Sequence, residues 1–321
     1  MLIATLPTLT SEDALRLSEK ILSHPLIDSV RYNTGGDSPY RPAEILGMLN
    51  PLAHKHRKRL YIDLEGRQMR IARWTPFSRG AVILNRDFEI ELPGKIYFRG
   101  LGWFQIVNAI PGERKVFFDT TSDYPKYYLG ETQSTHIVAK KFKVKGYLNG
   151  LDREFINTAV KSGIHNFMLS FVERANDLAD FYVTYWSYGK ADAKPPNVVL
   201  KIESRAGIEL IRNIPSLPPS KELALMAARD DLFLSYVDKR AEFLDALKLI
   251  VSKDPDAILA SRIMSGVESS VEVNMGDLAD MALMSRFGYR NFMFSDELAK
   301  KFDIAVEDWE DIILPVIKNE K

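Results

Sequence analysis

Short runs of consecutive apolar residues alternate along this chain with stretches whose apolar positions recur every three to four residues. The first run, Leu2–Thr5, reads as a buried strand. Thr10 is then expected to cap a helix, with Glu12 and Asp13 in its first turn and Leu15, Leu17, Ile21 and Leu22 on its apolar face. A second strand ends in Ser29-Val30-Arg31 and leads into Tyr-Asn-Thr-Gly-Gly, where paired glycines permit positive φ. Pro42, suited to the first helical position, opens a helix to about His54, and Leu60–Ile62 is a third strand. Strand and helix in strict alternation predict a parallel sheet with right-handed crossovers.

The texture changes after about Thr75. Val82–Leu84, Phe88–Leu92, Lys95–Phe98, Phe104–Val107, Lys115–Phe118 and Ile137–Val144 are short β-type runs broken by Gly, Pro, Asn and Asp, without helical period. Residues 76–145 therefore read as a small all-β insertion after the third strand. Alternation resumes with a helix over Asp152–Lys161, a strand over Asn166–Leu169 ending in Ser170, and a helix from Ala175 to about Val183. Two more apolar runs follow, one from Asn197 ending in Lys201-Ile-Glu203 and one from Leu223 ending in Arg229-Asp230-Asp231. The Pro-rich segment Ile214–Pro219 separates them. A helix over Leu234–Ser252, with Phe243, Leu244, Leu247 and Ile250 as its face, precedes the strand Ala257–Ala260. Met275–Ser285 is helical, Asn291–Phe294 is the last strand, and a final helix covers Val306 to about Ile317. Residues 1–75 and 146–321 thus supply eight strands in about 250 residues, the size of a closed (β/α)8 barrel.

Composition narrows the picture. The 321 residues carry 43 basic and 43 acidic side chains, a balance unlike that of a dedicated nucleic-acid binder. The chain has no cysteine, which excludes disulfides, thiolate catalysis and Cys-based zinc sites. No signal peptide and no apolar stretch of about 18 residues is present, so a soluble cytoplasmic protein is expected. The basic run His54–Arg59 ends a helix, where cations complement the dipole. Phe181, Tyr182, Tyr185, Trp186 and Tyr188 read as core, with a homo-oligomer contact as the other reading.

Candidate chemistry lies at two adjacent strand ends. In a parallel barrel, functional groups collect where strands leave the core at their C-terminal ends. Lys201 and Glu203 alternate and so point to the same side of their strand. Together with Arg229, Asp230 and Asp231 at the end of the next run, they place cations and carboxylates on one face, as either solvated or functional groups.

These residues carry a resemblance. Lys201-Ile-Glu203-Ser-Arg-Ala-Gly207 resembles the K-I-E-N-x-x-G signature of the pyruvate kinase family, and Ala228-Arg229-Asp230-Asp231-Leu232 resembles its A-R-G-D-L loop. Val30-Arg31-Tyr32-Asn33 is similar to A-R-M-N, and Asp63-Leu64-Glu65-Gly66-Arg67-Gln68-Met69-Arg70 to D-T-K-G-P-E-I-R. Ser170-Phe171, Ala260-Ser261-Arg262 and Phe294-Ser295-Asp296-Glu297-Leu298-Ala299 resemble A-S-F, A-T-Q and L-S-G-E-T-A. The landmarks fall in family order and span nearly the whole barrel.

The resemblance implies a pyruvate-kinase-like barrel with a reduced lid and without the family's C-terminal domain. It implies Glu203 and Asp231 as ligands of a divalent metal, Mg2+ or Mn2+, and Lys201 as the cation beside the reacting oxygen. Arg31 and Arg70 become phosphate-facing, Ser261 and the amides at Asp230 and Asp231 hold a carboxylate, and Asn33, Asp63 and Ser170 line the site. The substrate implied is phosphoenolpyruvate, pyruvate or a related 2-oxo acid, with a nucleotide as partner if phosphoryl transfer is retained. Departures are also visible. Of the monovalent-cation residues Asn33 and Asp63 remain, while Gly35 and Leu64 fill the other positions, and Arg67 is a candidate for the vacant charge. Ser261 stands for Thr, Asp230 for Gly, and Leu64-Glu65 for Thr-Lys on the nucleotide side. The alternatives are a metal-dependent 2-oxo acid lyase or aldolase-type enzyme, and a non-catalytic relative that binds a metabolite or a protein partner.

Overall fold

Eight of the apolar runs pair side by side into a closed parallel barrel in the computed structural model, which describes residues 1–120, 127–189, 194–217 and 222–319. In chain order the strands are β1 (Leu2–Leu6), β2 (Ser29–Asn33), β3 (Arg59–Leu64), β4 (Asn166–Leu169), β5 (Asn197–Ile202), β6 (Leu223–Ala228), β7 (Ile258–Ala260) and β8 (Asn291–Phe294). Each pairs with its sequence neighbours, and β1 closes on β8 with Leu2 opposite Phe292. The (β/α)8 expectation holds at this level. Of the predicted Pro-rich segment, Pro218 and Pro219 lie outside the described residues.

Strand alternation explains how the barrel interior is layered. Ile3, Tyr61, Met168, Val199, Met226, Ile258 and Met293 form an apolar layer inside the ring. Two residues further along four of those strands stand Thr5, Asp63, Ser170 and Lys201, all buried. An apolar floor thus carries a polar layer at the C-terminal ends, which matches the packed-core rule for such barrels.

Several helices differ from expectation. Ser11, not Thr10, caps the first helix, accepting from the Ala14 amide at 3.4 Å. The long helix expected over Leu234–Ser252 is two helices, Arg229–Ser235 and Phe243–Lys253, joined through a 3-10 turn at Arg240–Glu242. Helix formation starts directly at the charged end of β6, and the second helix buries Ala246, Leu247, Ile250 and Val251, leaving Leu244 exposed. The final helix begins at Phe302 and contains a π-helical stretch, Trp309–Ile313. Trp309 is wedged there against Phe292 and Phe294 at ring separations of 5.1 and 5.6 Å. Gly35 and Gly36 do not take positive φ. Gly36 is required for space instead, because a Cβ there would lie 2.2 Å from Thr8 Oγ1. In the helix Ala175–Tyr188, Phe181 and Tyr185 are core, while Trp186 and Tyr188 stay partly exposed.

Residues Glu65–Asn149 form a second compact unit, which starts before and ends after the bounds expected for the β-rich segment. The reason is that Met69–Arg70 already pairs with Ser134–Val144. Phe88–Leu92 and Lys95–Phe98 prove to be one strand, Phe88–Phe98, antiparallel to Ser134–Val144. Gly94 allows the close approach at its midpoint, since a Cβ would meet that of Ala139 at 2.7 Å. Phe77, Phe98, Phe104 and Phe118 fill the centre, with Phe98 and Phe118 edge to face at 4.9 Å. Among the described residues, no helix is long and apolar enough to cross a membrane.

Candidate active site at the strand ends

Lys201 is the hub of the polar layer. Its ammonium donates to Ser170 Oγ at 2.8 Å and to Asp63 Oδ2 at 3.0 Å, and lies 3.3 Å from Glu203 Oε1. Asp63 is shared: Arg31 Nε donates to Oδ2 at 2.7 Å and Ser170 Oγ to Oδ1 at 3.2 Å. Arg31 Nη1 donates to Thr5 Oγ1 at 3.1 Å and to Asp296 Oδ2 at 3.2 Å. Thr5 Oγ1 in turn donates to the Phe294 carbonyl at 2.7 Å. The ends of β1, β2, β3, β4, β5 and β8 are therefore joined by one hydrogen-bonded network.

Glu203 leaves β5 just before the helix Arg205–Arg212, which Ser204 caps by accepting from the Gly207 amide at 3.2 Å. Gly207 is needed because a Cβ would stand 2.9 Å from the Val172 carbonyl. This close packing gives the glycine of the Lys-Ile-Glu segment a physical reason. Glu203 is 2 % exposed, and its Oε2 accepts from the Phe171 amide at 2.6 Å. Phe171 adopts φ 51°, a strained left-handed conformation for a bulky residue, and Ser261 and Arg262 do the same at 67° and 57° after β7. Backbone strain is thus present at the C-terminal ends of two barrel strands.

The electrostatics separate the two buried acids. Burial pushes the Asp63 carboxyl up, but Lys201 and Arg31 overcome this and hold it below the usual carboxylate range. Burial also dominates at Glu203, where Lys201 opposes it but Asp231 and Asp63 reinforce it, so the group is pushed up to about 7. Burial acts to lower the proton affinity of the Lys201 ammonium, yet Asp63 and Glu203 outweigh it and keep it charged. The proton that can leave this cluster near neutral pH is the one on Glu203.

A pH experiment follows from these signs. A carboxyl raised in the folded state binds more protons there than in the unfolded chain, so its contribution to stability falls as pH rises from about 4.5 to 7. Asp63 has the opposite sign, contributing stability that is lost only as pH falls below the ordinary carboxylate range. Glu203→Gln is expected to remove the loss above pH 5 and to be more stable than the parent at pH 8 by about 1–3 kcal/mol. Urea unfolding of both proteins at pH 5.5 and pH 8 checks this, and identical pH slopes would overturn it.

The remaining expected residues fall into three groups. Asp231, in the helix Arg229–Ser235, makes no side-chain hydrogen bond or ion pair among the described residues, and its charge reaches Glu203. Asp230 is paired with Arg262 at 2.7 Å, while the Ser261 hydroxyl has no partner among the described residues. Arg229 holds the turn after β7: Nε donates to the Ser261 carbonyl at 3.0 Å and Nη1 is bidentate to Asp280 at 2.7 and 2.8 Å. Asn33 Oδ1 accepts from the Gly35 amide at 3.2 Å. Arg70 and Arg67 belong to the second unit. Arg70 is tied to Glu65 at 2.5 Å and Thr132 at 2.7 Å, and Arg67 donates to the carbonyls of Val144 and Gly146.

Two ion types can be tested against these donors. Glu203 and Asp231 suit a divalent ion of the Mg2+ kind, which takes one or two protein carboxylates and completes its shell with water and substrate. They do not form an all-protein cage, since among the described residues no group of three or more His, Cys, Asp or Glu is assembled. A cation there would offset both the burial that chiefly raises Glu203 and the repulsion from Asp231 and Asp63 that adds to it. A monovalent cation does not fit. Asp63 is already occupied by two cations and a hydroxyl, and Asn33 is committed to its own loop.

Thr5 and Asp296 were not expected in this network. Thr5 could have been found from its parity with Ile3, whereas Asp296 stands at the end of the last strand but out of step with its inward-facing Met293. Comparison with known proteins finds no matching family model and no similar curated protein.

Proposed function

We propose that this protein is a divalent-metal-dependent enzyme acting on phosphoenolpyruvate, pyruvate or a related 2-oxo acid, as the resemblance to the pyruvate kinase family implies. The observation that carries the reading is the placement of Lys201 near the end of β5 and Glu203 just beyond it in one buried network, with burial raising the Glu203 carboxyl and the Asp231 charge adding to that. Mg2+ or Mn2+ held by Glu203 and Asp231 would supply Lewis-acid polarisation of a substrate oxygen. Lys201 keeps a fixed positive charge where negative charge develops on an enolate or phosphoryl oxygen. Arg31 retains both Nη2 hydrogens for a substrate anion, since only Nε and Nη1 have partners among the described residues. The Ser261 hydroxyl, without a partner among the described residues, suits a carboxylate.

In phosphoryl transfer, Arg31 grips the phosphate and Lys201 offsets charge on the transferring group. A second reading, enol–keto or aldol-type chemistry on a 2-oxo acid without a nucleotide, is favoured by Asp296, which already occupies Arg31 Nη1. Calorimetry with Mn2+ and oxalate tests the shared core of both readings. Oxalate is expected to bind only with metal present, and Glu203→Gln is expected to weaken it by about 10-fold or more. Oxalate binding that ignores the metal would leave a non-catalytic, metabolite-binding role. A coupled assay with ADP then separates phosphoryl transfer from enolate chemistry alone.

A further inference from the structure

Asp296 is the exposed member of an otherwise buried ion network. Its side chain is 46 % exposed, against 9 % for Arg31, to which it is bound at 3.2 Å. It opens the helix Asp296–Lys300, capped by Ser295, so the backbone fixes it at the end of β8. Arg31 and Lys201 already balance Asp63 and Glu203 without it. Asp231 and Asp296 add two negative charges, which one divalent ion on Glu203 and Asp231 would offset. Asp230 changes nothing in this balance, because Arg262 neutralises it. Over Arg31, Lys201, Asp63, Glu203, Asp231 and Asp296, the metal-loaded site is then neutral before any substrate arrives, while burial favours the uncharged form of the neighbouring Glu268, which accepts from Ser295.

We propose that Asp296 is a charge filter on Arg31 that selects a non-phosphorylated 2-oxo acid, a monoanion, over its phosphorylated counterpart. This rests on the metal-dependent reading above and names its substrate class. A phosphate ester on Arg31 Nη2, which has no partner among the described residues, brings additional negative charge beside the Asp296 carboxylate held on Nη1 of the same guanidinium. A monoanion of the pyruvate type needs only the charge that the metal and the Ser261 hydroxyl accommodate. Asp296→Asn removes the charge while keeping an oxygen for Arg31, and Asp296→Glu keeps the charge.

The test is calorimetry of the Mn2+-loaded full chain with pyruvate and with phosphoenolpyruvate, for the parent and both variants. Asp296→Asn is expected to tighten phosphoenolpyruvate about tenfold and pyruvate by less than about threefold, with Asp296→Glu retaining the parental preference. Equal changes for the two ligands, or no change, would overturn the filter while leaving the metal-dependent reading intact. Absence of Mn2+-dependent binding of either ligand in all three proteins would overturn both.

Discussion

Lys201→Met is expected to lower any metal-dependent enolisation by about 1,000-fold, the loss typical of removing a preorganised charge at a developing oxyanion. The exchange of pyruvate methyl protons with solvent, followed by proton NMR, reports enolisation whether or not phosphoryl transfer occurs. The substitution keeps the length and most of the volume of the stem, so the network changes mainly in charge. Asp63 retains Arg31 at 2.7 Å, and Glu203, losing the cation that held its proton affinity down, moves further up. Because Mn2+ binding itself displaces the Glu203 proton, metal affinity is expected to persist but to become more strongly pH-dependent, while exchange is lost. Retention of exchange within about fivefold of the parent would reduce Lys201 to a structural ion pair.

Asp63→Ala is expected to have the largest effect on stability, a loss of about 3–5 kcal/mol. The carboxylate receives Lys201, Arg31 and Ser170, and deleting it takes the most buried counter-charge from two buried cations, leaving Arg31 only the half-exposed Asp296 and Lys201 only Glu203 as ion partners. Urea midpoints at an unchanged slope measure the loss. Adding Lys201→Met to Asp63→Ala removes one of these cations, so the double variant is expected to recover about 1–2 kcal/mol. A single-variant cost below about 1 kcal/mol would show that water or a rearranged partner already satisfies the two cations.

Much of the barrel was legible because its strands are short, fully buried and apolar, so composition and length suffice to find them. Asn166–Leu169 and Asn291–Phe294 match their expected bounds. The helices following β6 were not legible in the same way. An apolar face read across Leu234–Ser252 could not show that the chain already turns helical at Arg229. At the site, the parity of Lys201 with Glu203 could be read directly, and the structure joins them with Asp63 and Ser170. Asp296 was invisible as a partner, since its contact with Arg31 spans 265 residues and depends on how β8 closes beside β1. The role expected of Gly35 and Gly36 was also misjudged, because a glycine required for space looks the same in sequence as one required for φ.

The first and last residues of the second unit are hydrogen-bonded to each other, the Asn149 side-chain amide donating to Glu65 Oε2 at 2.8 Å. Its two ends are thus clasped together just where the chain departs from β3 and returns toward β4. For a module tied at its neck, growth or shrinkage of the interior changes only a weakly length-dependent closure entropy. Such a unit can be exchanged, shortened or replaced in evolution without disturbing the register of the barrel, because among the described residues nothing between Glu65 and Asn149 supplies a barrel strand. The same clasp marks where an engineer would graft a different domain between β3 and β4.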